Sequence, residues 1–340
     1  MKVVLVHDCL NEFGGAERVL LALSEIWPEA PIYTAFYKRG SDSWGRFKGK
    51  SIKVSWFHYL PFADKLASPL RFLAPAIWNS FDFSRFDVVI TSASWYVTKG
   101  FGGKQAMSDK RYEIRKKPIE VCYCHTPPRY LYGYPTSVVW QKYWPVRIFA
   151  VIVNHFMRIY DFNAAQRVDY FIANSENVAV RIKKFYRRDA VVIYPPVELV
   201  GARDPRTGDS YYLVVSRIVG GKGLELAVRA ADKLGFKLKI VGKPGGYSQE
   251  LDKIKKLAKP NVEFLGFVED SELTELYRGA KGFLALAEDE DFGITPVEAM
   301  MVGTPVVAFR GGGYVESVVE DKTGVFFNAP TVESFVGAIK

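Results

Sequence analysis

The chain is poor in sulfur. It has three cysteines, Cys9, Cys122 and Cys124, in 340 residues. An odd, sparse set builds no disulfide framework, and no CxxC or paired metal spacing is present. Cys122 and Cys124 alternate within a strand-like run, so both point to one face. A reducing compartment fits. Histidine is nearly as scarce: His7, His58, His125 and His155 are the only four, and no two have metal-ligand spacing. Long apolar runs are missing as well. The nearest, WPVRIFAVIVNHFMRIY from Trp144, is broken by Arg147, Asn154, His155 and Arg158. A spanning helix needs about 18–20 apolar residues, so a buried or interfacial helix is expected instead. The opening MKVVLVHD has one lysine, a short apolar run and no small-residue cleavage site, unlike a secretion signal. These absences point to the cytoplasm.

What is present is an ordinary globular composition, 49% apolar and 24% charged. At roughly 150 residues per domain, the length suggests two domains. The net charge is +9. That balance suits a polyanionic partner (nucleic acid, anionic lipid or a phosphorylated ligand) or else a merely basic surface. The densest basic stretch holds Lys104, Lys110, Arg111, Arg115, Lys116 and Lys117. It reads as a solvated hairpin or loop, or as a membrane-surface contact. RNP, KH, helix-turn-helix and zinc-finger patterns are all lacking, so no nucleic acid is expected.

The chain has an alternating rhythm. KVVLV, residues 2–6, forms a first strand, buried on both faces as in parallel sheets. Gly14 and Gly15 then precede a helix with apolar positions at Val19, Leu20, Leu23 and Ile26. Strand, glycine turn and helix open a doubly wound domain. Further strands are expected at PIYTAF, DVVITSA, IEVCYCH, DYFIANS and AVVIYPP. After the polar linker GARDPRTGDS the rhythm restarts with YYLVVSRI, a glycine-lysine turn and the helix LELAVRAADKL, followed by KLKIVGK, VEFLGF, GFLALA and TPVVAF. The expectation is an α/β protein of two Rossmann-like doubly wound domains, 1–198 and 199–340. The aromatic stretch WFHYLPFADKLASPLRFLAPAIWNSF, from Trp56, fits this rhythm poorly. A core helix is favoured over a lipid-facing or acceptor-binding element, because amphipathic helices usually bury their stripe.

Four segments carry chemistry. In EDFGITPVEAMMVGTPVVA, Glu290 and Glu298 stand eight residues apart. Gly293 allows a tight turn between them, and Pro296 sits where a helix could begin, with Glu298 in its first turn. Free amides at such a terminus attract a phosphate or a sugar hydroxyl, and two carboxylates accept from hydroxyls. That suits a nucleotide sugar. Charge bias at a helix start would explain Glu298 alone, but not Glu290 or the turn. In SRIVGGKGLELAV, Arg217 and Lys222 flank a strand-to-helix turn with Gly220, Gly221 and Gly223. Two cations there can clamp a diphosphate and neutralise a leaving group; taken singly, each would be a surface cation. Gly14 and Gly15 let backbone approach an anion, although a tight turn needs them equally. His125 ends a strand in CHTPPRYLY, before two prolines that stiffen the loop, where ligands bind in such sheets. A lone histidine is more often a satisfied core residue. His7 and Asp8 also end a strand.

HDCLNEFGGAERVL, YCHTPPRYLY, DYFIANSENVAVRIKKFY, SRIVGGKG and EDFGITPVEAMMVGTPVVA span nearly the whole chain. In that order they resemble the retaining GT-B glycosyltransferases of family four, especially mannosyltransferases of polysaccharide and lipopolysaccharide synthesis. The resemblance implies roles. Gly14 and Gly15 approach the donor phosphates, and His125 contacts the transferred sugar. Arg217 and Lys222 hold the diphosphate. Glu290, with the backbone at Phe292, Gly293 and Ile294, binds sugar hydroxyls, and Glu298 binds the ribose. The donor, GDP-mannose by the subgroup resemblance, would lie in a cleft between an acceptor-side first domain and a donor-binding second one. No cofactor or divalent metal is implied; the DED at 289–291 sits inside the glutamate motif and is not counted as a metal site. The acceptor would be a glycan or, given the basic surface and the Trp56–Phe83 region, a lipid-linked glycan, from which a peripheral contact to anionic membrane follows. Residues 104–117 look longer than the family's usual connection. The last residues, VESFVGAIK, stop inside an expected helix where relatives continue, so the chain is read as truncated.

The expected reaction is front-face transfer with retention. The sugar–phosphate bond loosens, Arg217 and Lys222 stabilise the departing diphosphate, and the acceptor hydroxyl attacks from the same face. A double displacement would need a carboxylate nucleophile under the anomeric carbon, and the sequence identifies none. The rival readings are a nucleotide-sugar epimerase or a phosphorylase of the same form, and a non-catalytic polyanion-binding protein.

Overall fold

The computed structural model describes residues 1–102, 117–134, 136, 144–199, 210–245 and 250–340. Of the basic stretch at 104–117, only Lys117 falls among them, and the expected linker lies outside them apart from Ser210.

The chain divides into two compact units, the first reaching Pro196 and the second starting at Val197. In the first, seven strands form one sheet: β1 (Val3–His7), β2 (Ile32–Thr34), β3 (Ile52–Val54), β4 (Val88–Ala93), β5 (Ile119–Cys124), β6 (Tyr170–Ala173) and β7 (Ala190–Val192). Their order is β3-β2-β1-β4-β5-β6-β7. Every pairing is parallel. All five residues of β1 are buried, as a strand covered on both faces requires. The second unit has β8 (Tyr211–Val215), β9 (Leu238–Val241), β10 (Val262–Gly266), β11 (Ala280–Ala285), β12 (Val306–Phe309) and β13 (Gly324–Phe327), also parallel, in the order β10-β9-β8-β11-β12-β13. Both units are therefore doubly wound. Each sheet reverses its strand order once, between β1 and β4 and between β8 and β11, and ligands of such sheets bind beyond the strand ends at that reversal.

Helices close the crossovers. Gly15–Ile26 follows β1 and buries Val19 and Leu20, whereas Ile26 faces solvent. Leu224–Leu234 follows β8, buries Leu224, Ala227 and Val228, and ends at left-handed Gly235, the usual stop signal. Two strands escape the sequence reading. β3 is three residues long at a sheet edge with Lys53 at its centre, and β13 is a short edge strand; neither carries the long apolar run of a central strand.

The stretch from Trp56 is no single helix. Pro61, Pro69 and Pro75 divide it into the short turns Trp56–Tyr59, Ala63–Leu66, Arg71–Leu73 and Ala74–Trp78. Its core role holds for Phe57, Ile77 and Trp78, which are buried beneath the first sheet's aromatic cluster, while Trp56, Tyr59, Phe62 and Phe72 are exposed. The helix Trp144–Arg167 runs 24 residues, and none of the described helices is long and apolar enough to cross a membrane.

Candidate active site

At the strand reversal of the first unit, four side chains form a chain of hydrogen bonds. His7, the last residue of β1, pairs in register with Ser92 of β4. Its Nδ1 lies 3.0 Å from Ser92 Oγ, and its Nε2 lies 3.3 Å from Glu17 Oε1. Ser92 Oγ lies 2.8 Å from His125 Nε2. His125 follows β5, and its amide donates to the Ala93 carbonyl (2.8 Å). His7 and His125 are 1% and 8% exposed, so water competes little for these bonds.

Burial and electrostatics treat the two imidazoles oppositely. Burial pulls His7 down, but its hydrogen bond to Glu17 and the charges of Glu17 and Asp8 outweigh this and raise its pKa. Burial, together with the neighbouring His7, pushes His125 down to about 3. With His7 protonated, donor counting orders the chain as follows; with His7 neutral, the Ser92 hydroxyl can instead donate to His7 Nδ1. A protonated His7 donates from Nε2 to Glu17 and from Nδ1 to Ser92; the single Ser92 hydroxyl proton goes to His125 Nε2. His125 is neutral and carries its own proton on Nδ1. Asp8 takes no part in this relay. Its carboxylate accepts from the amides of Ser94, Trp95 and Tyr96 and from the Thr98 hydroxyl, fixing the loop after β4.

The glycine turn does something the sequence did not suggest. The Gly14 amide donates to Glu17 Oε2 (2.8 Å), so the helix terminus already has an anion, supplied from within its own first turn. A Cβ at Gly14 would stand 3.3 Å from that oxygen. Gly15 is the first residue of the helix itself.

The second unit builds its site from the loops after β8 and β11, the strands at its own reversal. Arg217 is exposed just beyond β8. Lys222, in the following turn, forms an ion pair with Glu290, Nζ to Oε2 at 2.7 Å, each side chain about a quarter exposed. Residues 68 positions apart, selected separately from sequence, thus meet at one point. Gly223 caps the next helix at φ +70, where a Cβ would fall 2.5 Å from Leu286 Cβ. Gly293 has φ +87, and a Cβ there would lie 2.6 Å from the Tyr314 ring. Both turns therefore need glycine for conformation and for space.

The glutamate motif differs from expectation in one respect. Its helix is Ile294–Met301, so Pro296 is the third residue and Glu298 the fifth, two residues further in than expected. Left-handed Gly293 starts the helix two residues before the proline, which is tolerated in a first turn because its missing amide has no partner there. Glu298 is 1% exposed, and its Oε2 accepts from the Tyr277 hydroxyl (2.6 Å). It is no helix-start charge, since it lies beyond the first turn. Phe292 is buried, and Ile294 begins the helix. The sequence reading missed Gly311, Gly312 and Gly313. The Gly313 amide donates to the Glu290 carbonyl (2.9 Å), and a Cβ at Gly312 would lie 2.4 Å from the same oxygen. The run RGGGY was a visible signal for such close approach. Glu17 and Ser92 were missed because nothing local marks them. Among the described residues, no three His, Cys, Asp or Glu side chains gather as a metal site.

Comparison with known proteins agrees with this arrangement. The family model "Glycosyltransferase Family 4" matches residues 13–200, and "Glycosyl transferases group 1" matches residues 201–340. Over 94% of its length the chain is 25% identical to the alpha-1,3/1,6-mannosyltransferase ALG2 of Candida glabrata, covering 78% of that protein. It is 36% identical to the sulfoquinovosyl transferase SQD2 of Arabidopsis thaliana over 130 residues, 37% of this chain and 25% of that one. The chain spans less than half the length of the first curated relatives it matches. In three dimensions it is similar to Anabaena Alr3699/HepE, solved in complex with UDP and glucose, with a TM-score of 0.71 at 18% identity, covering all of this chain and 89% of that one. With family models matching both halves, and two parallel-sheet units of the GT-B fold, the chain belongs to glycosyltransferase family 4.

Proposed function

We propose that this glycosyltransferase moves a hexose, mannose from GDP-mannose, onto a glycan or lipid-linked acceptor with retention of configuration and without a divalent metal. One observation carries the reading: Lys222 and Glu290 meet at the strand reversal of the second unit. A donor diphosphate arriving there exchanges one anionic partner of Lys222 for another. Glu290 is then released to accept hydrogen bonds from sugar hydroxyls, beside the backbone of Phe292, Gly293 and Ile294. Arg217 adds the second cation, and the pair stabilises charge that develops as the sugar–phosphate bond breaks. Glu298, held by Tyr277, is assigned to the ribose. The Gly14–Gly15 turn is assigned to the donor phosphates, with Glu17 as the anion they would displace.

In the first unit, His125 is assigned to the transferred sugar. The relay from Glu17 through His7 and Ser92 leaves its Nδ1–H as the donor, so the ring offers a hydrogen bond without a charge. A neutral donor suits a sugar hydroxyl. It also avoids placing a cation beside a transition state that is itself becoming positive at the anomeric carbon. The acceptor hydroxyl attacks on the face the diphosphate leaves, and a donor phosphate oxygen takes its proton. A nucleotide-sugar donor is supported by the HepE structures with UDP and with UDP-glucose, and mannose by the likeness to ALG2.

A thermal-shift panel of GDP-, UDP- and ADP-sugars, with and without EDTA, tests the donor, because a ligand of the folded state raises its melting temperature. Stabilisation by GDP-mannose that survives EDTA and is lost in Lys222→Ala is the expected result. Selective stabilisation by UDP-sugars would replace the donor, and an inverted anomer in the product would overturn retention.

A further inference from the structure

The helix Trp144–Arg167 is apolar on two faces. One is buried: Ala150, Met157, Ala164 and Ala165 pack inward. On the other, Trp144, Ile148, Val151, Ile152, Phe156 and Ile159 are all between 49% and 72% exposed. Their spacing is helical and keeps them on one stripe about 22 Å long, at 1.5 Å per residue. At one end Phe149 meets Phe72 edge-to-face at 6.2 Å, adding two more half-exposed rings. A continuous apolar surface of this extent marks an interaction site, unlike scattered exposed residues.

The charges along it have one sign. From Trp144 to Tyr160 the helix carries Arg147, His155 and Arg158 and no aspartate or glutamate. Asp161, the first carboxylate, is buried against Lys99 at 2.5 Å. Arg147 and Arg158, three turns apart, lie along the same flank of the stripe. Arg158 also lines a recess of about 290 Å³ together with Tyr132, Ile159, Phe162, Asn163 and Phe185. A second copy of this face would meet the arginines with more cations and no carboxylate. An anionic lipid surface supplies phosphates to the arginines and acyl chains to the stripe, with aromatic rings at the boundary between them.

We infer that this face lies in the surface of an anionic bilayer. Its position relates it to the site. The helix crosses from β5 to β6 and so runs antiparallel to both, starting at the sheet edge that carries His7 and His125. Asn154 already bonds to the Tyr130 carbonyl and Arg158 to the Leu131 carbonyl, in the loop that follows His125. The ten residues before Asn154 therefore project beyond that edge. A membrane on this stripe lies alongside the first unit, with the start of the helix nearest the edge that carries His125, which suits a lipid-linked acceptor; that last step rests on the transfer reading above, whereas the docking itself does not.

Sedimentation of the full chain with phosphatidylcholine vesicles, with and without phosphatidylglycerol, tests this. Binding to the phosphatidylglycerol vesicles is expected, weakening as salt rises. In Ile148→Asp/Ile152→Asp it should weaken by on the order of tenfold or more, with an unchanged melting temperature and nucleotide-induced shift. Arg147→Gln/Arg158→Gln should keep weak binding and lose the preference for the anionic lipid. Equal sedimentation of wild type and both variants, or none by any of them, overturns the proposal. So does concentration-dependent self-association without vesicle binding that Ile148→Asp/Ile152→Asp abolishes, because the face would then belong to a second copy. Nucleotide binding by a chain that ignores vesicles leaves the transfer reading standing while removing this one.

Discussion

Each unit holds a lysine–carboxylate pair, and the two are alike in length and opposite in setting. Lys99 and Asp161, 2.5 Å apart in the first unit, are 2% and 0% exposed. Lys222 and Glu290, 2.7 Å apart in the second, are 25% and 21% exposed. The buried pair is locked. Asp161 also accepts from Tyr132, and the Lys99 ammonium sits 4.8 Å from the centre of the Tyr186 ring. Burial works against the Lys99 ammonium, but Asp161 more than offsets it and raises its pKa. The open pair stands at a strand reversal, where water or a ligand can replace either partner. Distance alone would assign both the same role; burial decides that one is part of the fold and the other is available for binding.

The largest effect should follow from breaking the buried pair. Asp161→Ala strands a cation in the core and should cost about 3–5 kcal/mol in denaturant unfolding. A loss below about 1 kcal/mol would put Lys99 within reach of water and erase the contrast. Next comes Lys222→Ala, expected to lower the turnover of sugar transfer by about 10²–10³-fold, the scale of removing one group that stabilises a leaving charge, with the unfolding midpoint nearly unchanged. An equal loss of stability would make the open pair structural after all.

The histidine relay offers a pH test of the first unit. A group whose folded pKa is lowered destabilises the fold as pH falls below its unfolded value. His125 should therefore reduce stability from about pH 6.5 downward, by at most about 1.4 kcal/mol per pH unit. His7 has the opposite sign: its raised pKa contributes stability below about pH 6.5 that is lost as pH rises through the folded value. Melting curves across this range should show a shallower acid-side fall in His125→Gln and a shallower alkaline-side fall in His7→Gln. The smallest effect is expected for Glu290→Gln, whose stability should stay within about 1 kcal/mol of wild type because an open pair contributes little. Its loss of transfer should nevertheless be clear.

Much of this molecule could be read in advance. The central strands, both glycine turns and the cations beside them are local features, and Arg217, Lys222, Glu290 and Gly293 could be picked out from spacing as candidates. Proline also punctuated the region after Trp56, although the expected helix there gave way to four short turns. What could not be read joins residues distant in sequence. Ser92 has no motif around it; it matters because β1 and β4 pair in register and set it between two imidazoles. Glu17 looks like any first-turn glutamate until His7 is placed beside it.

The sequence by itself determined the doubly wound plan, because periodicity and turn chemistry are encoded over a few residues, and it singled out Lys222 and Glu290, which the fold brings together. Only the tertiary structure decided which side chains are shielded from water. That single variable separates Lys99 from Lys222, lowers His125, and leaves one apolar face of the Trp144–Arg167 helix in the core and the other in solvent; His7 is raised against it because the fold sets Glu17 and Asp8 beside the ring. Burial is a property of everything packed around a residue, and no short window of sequence contains it.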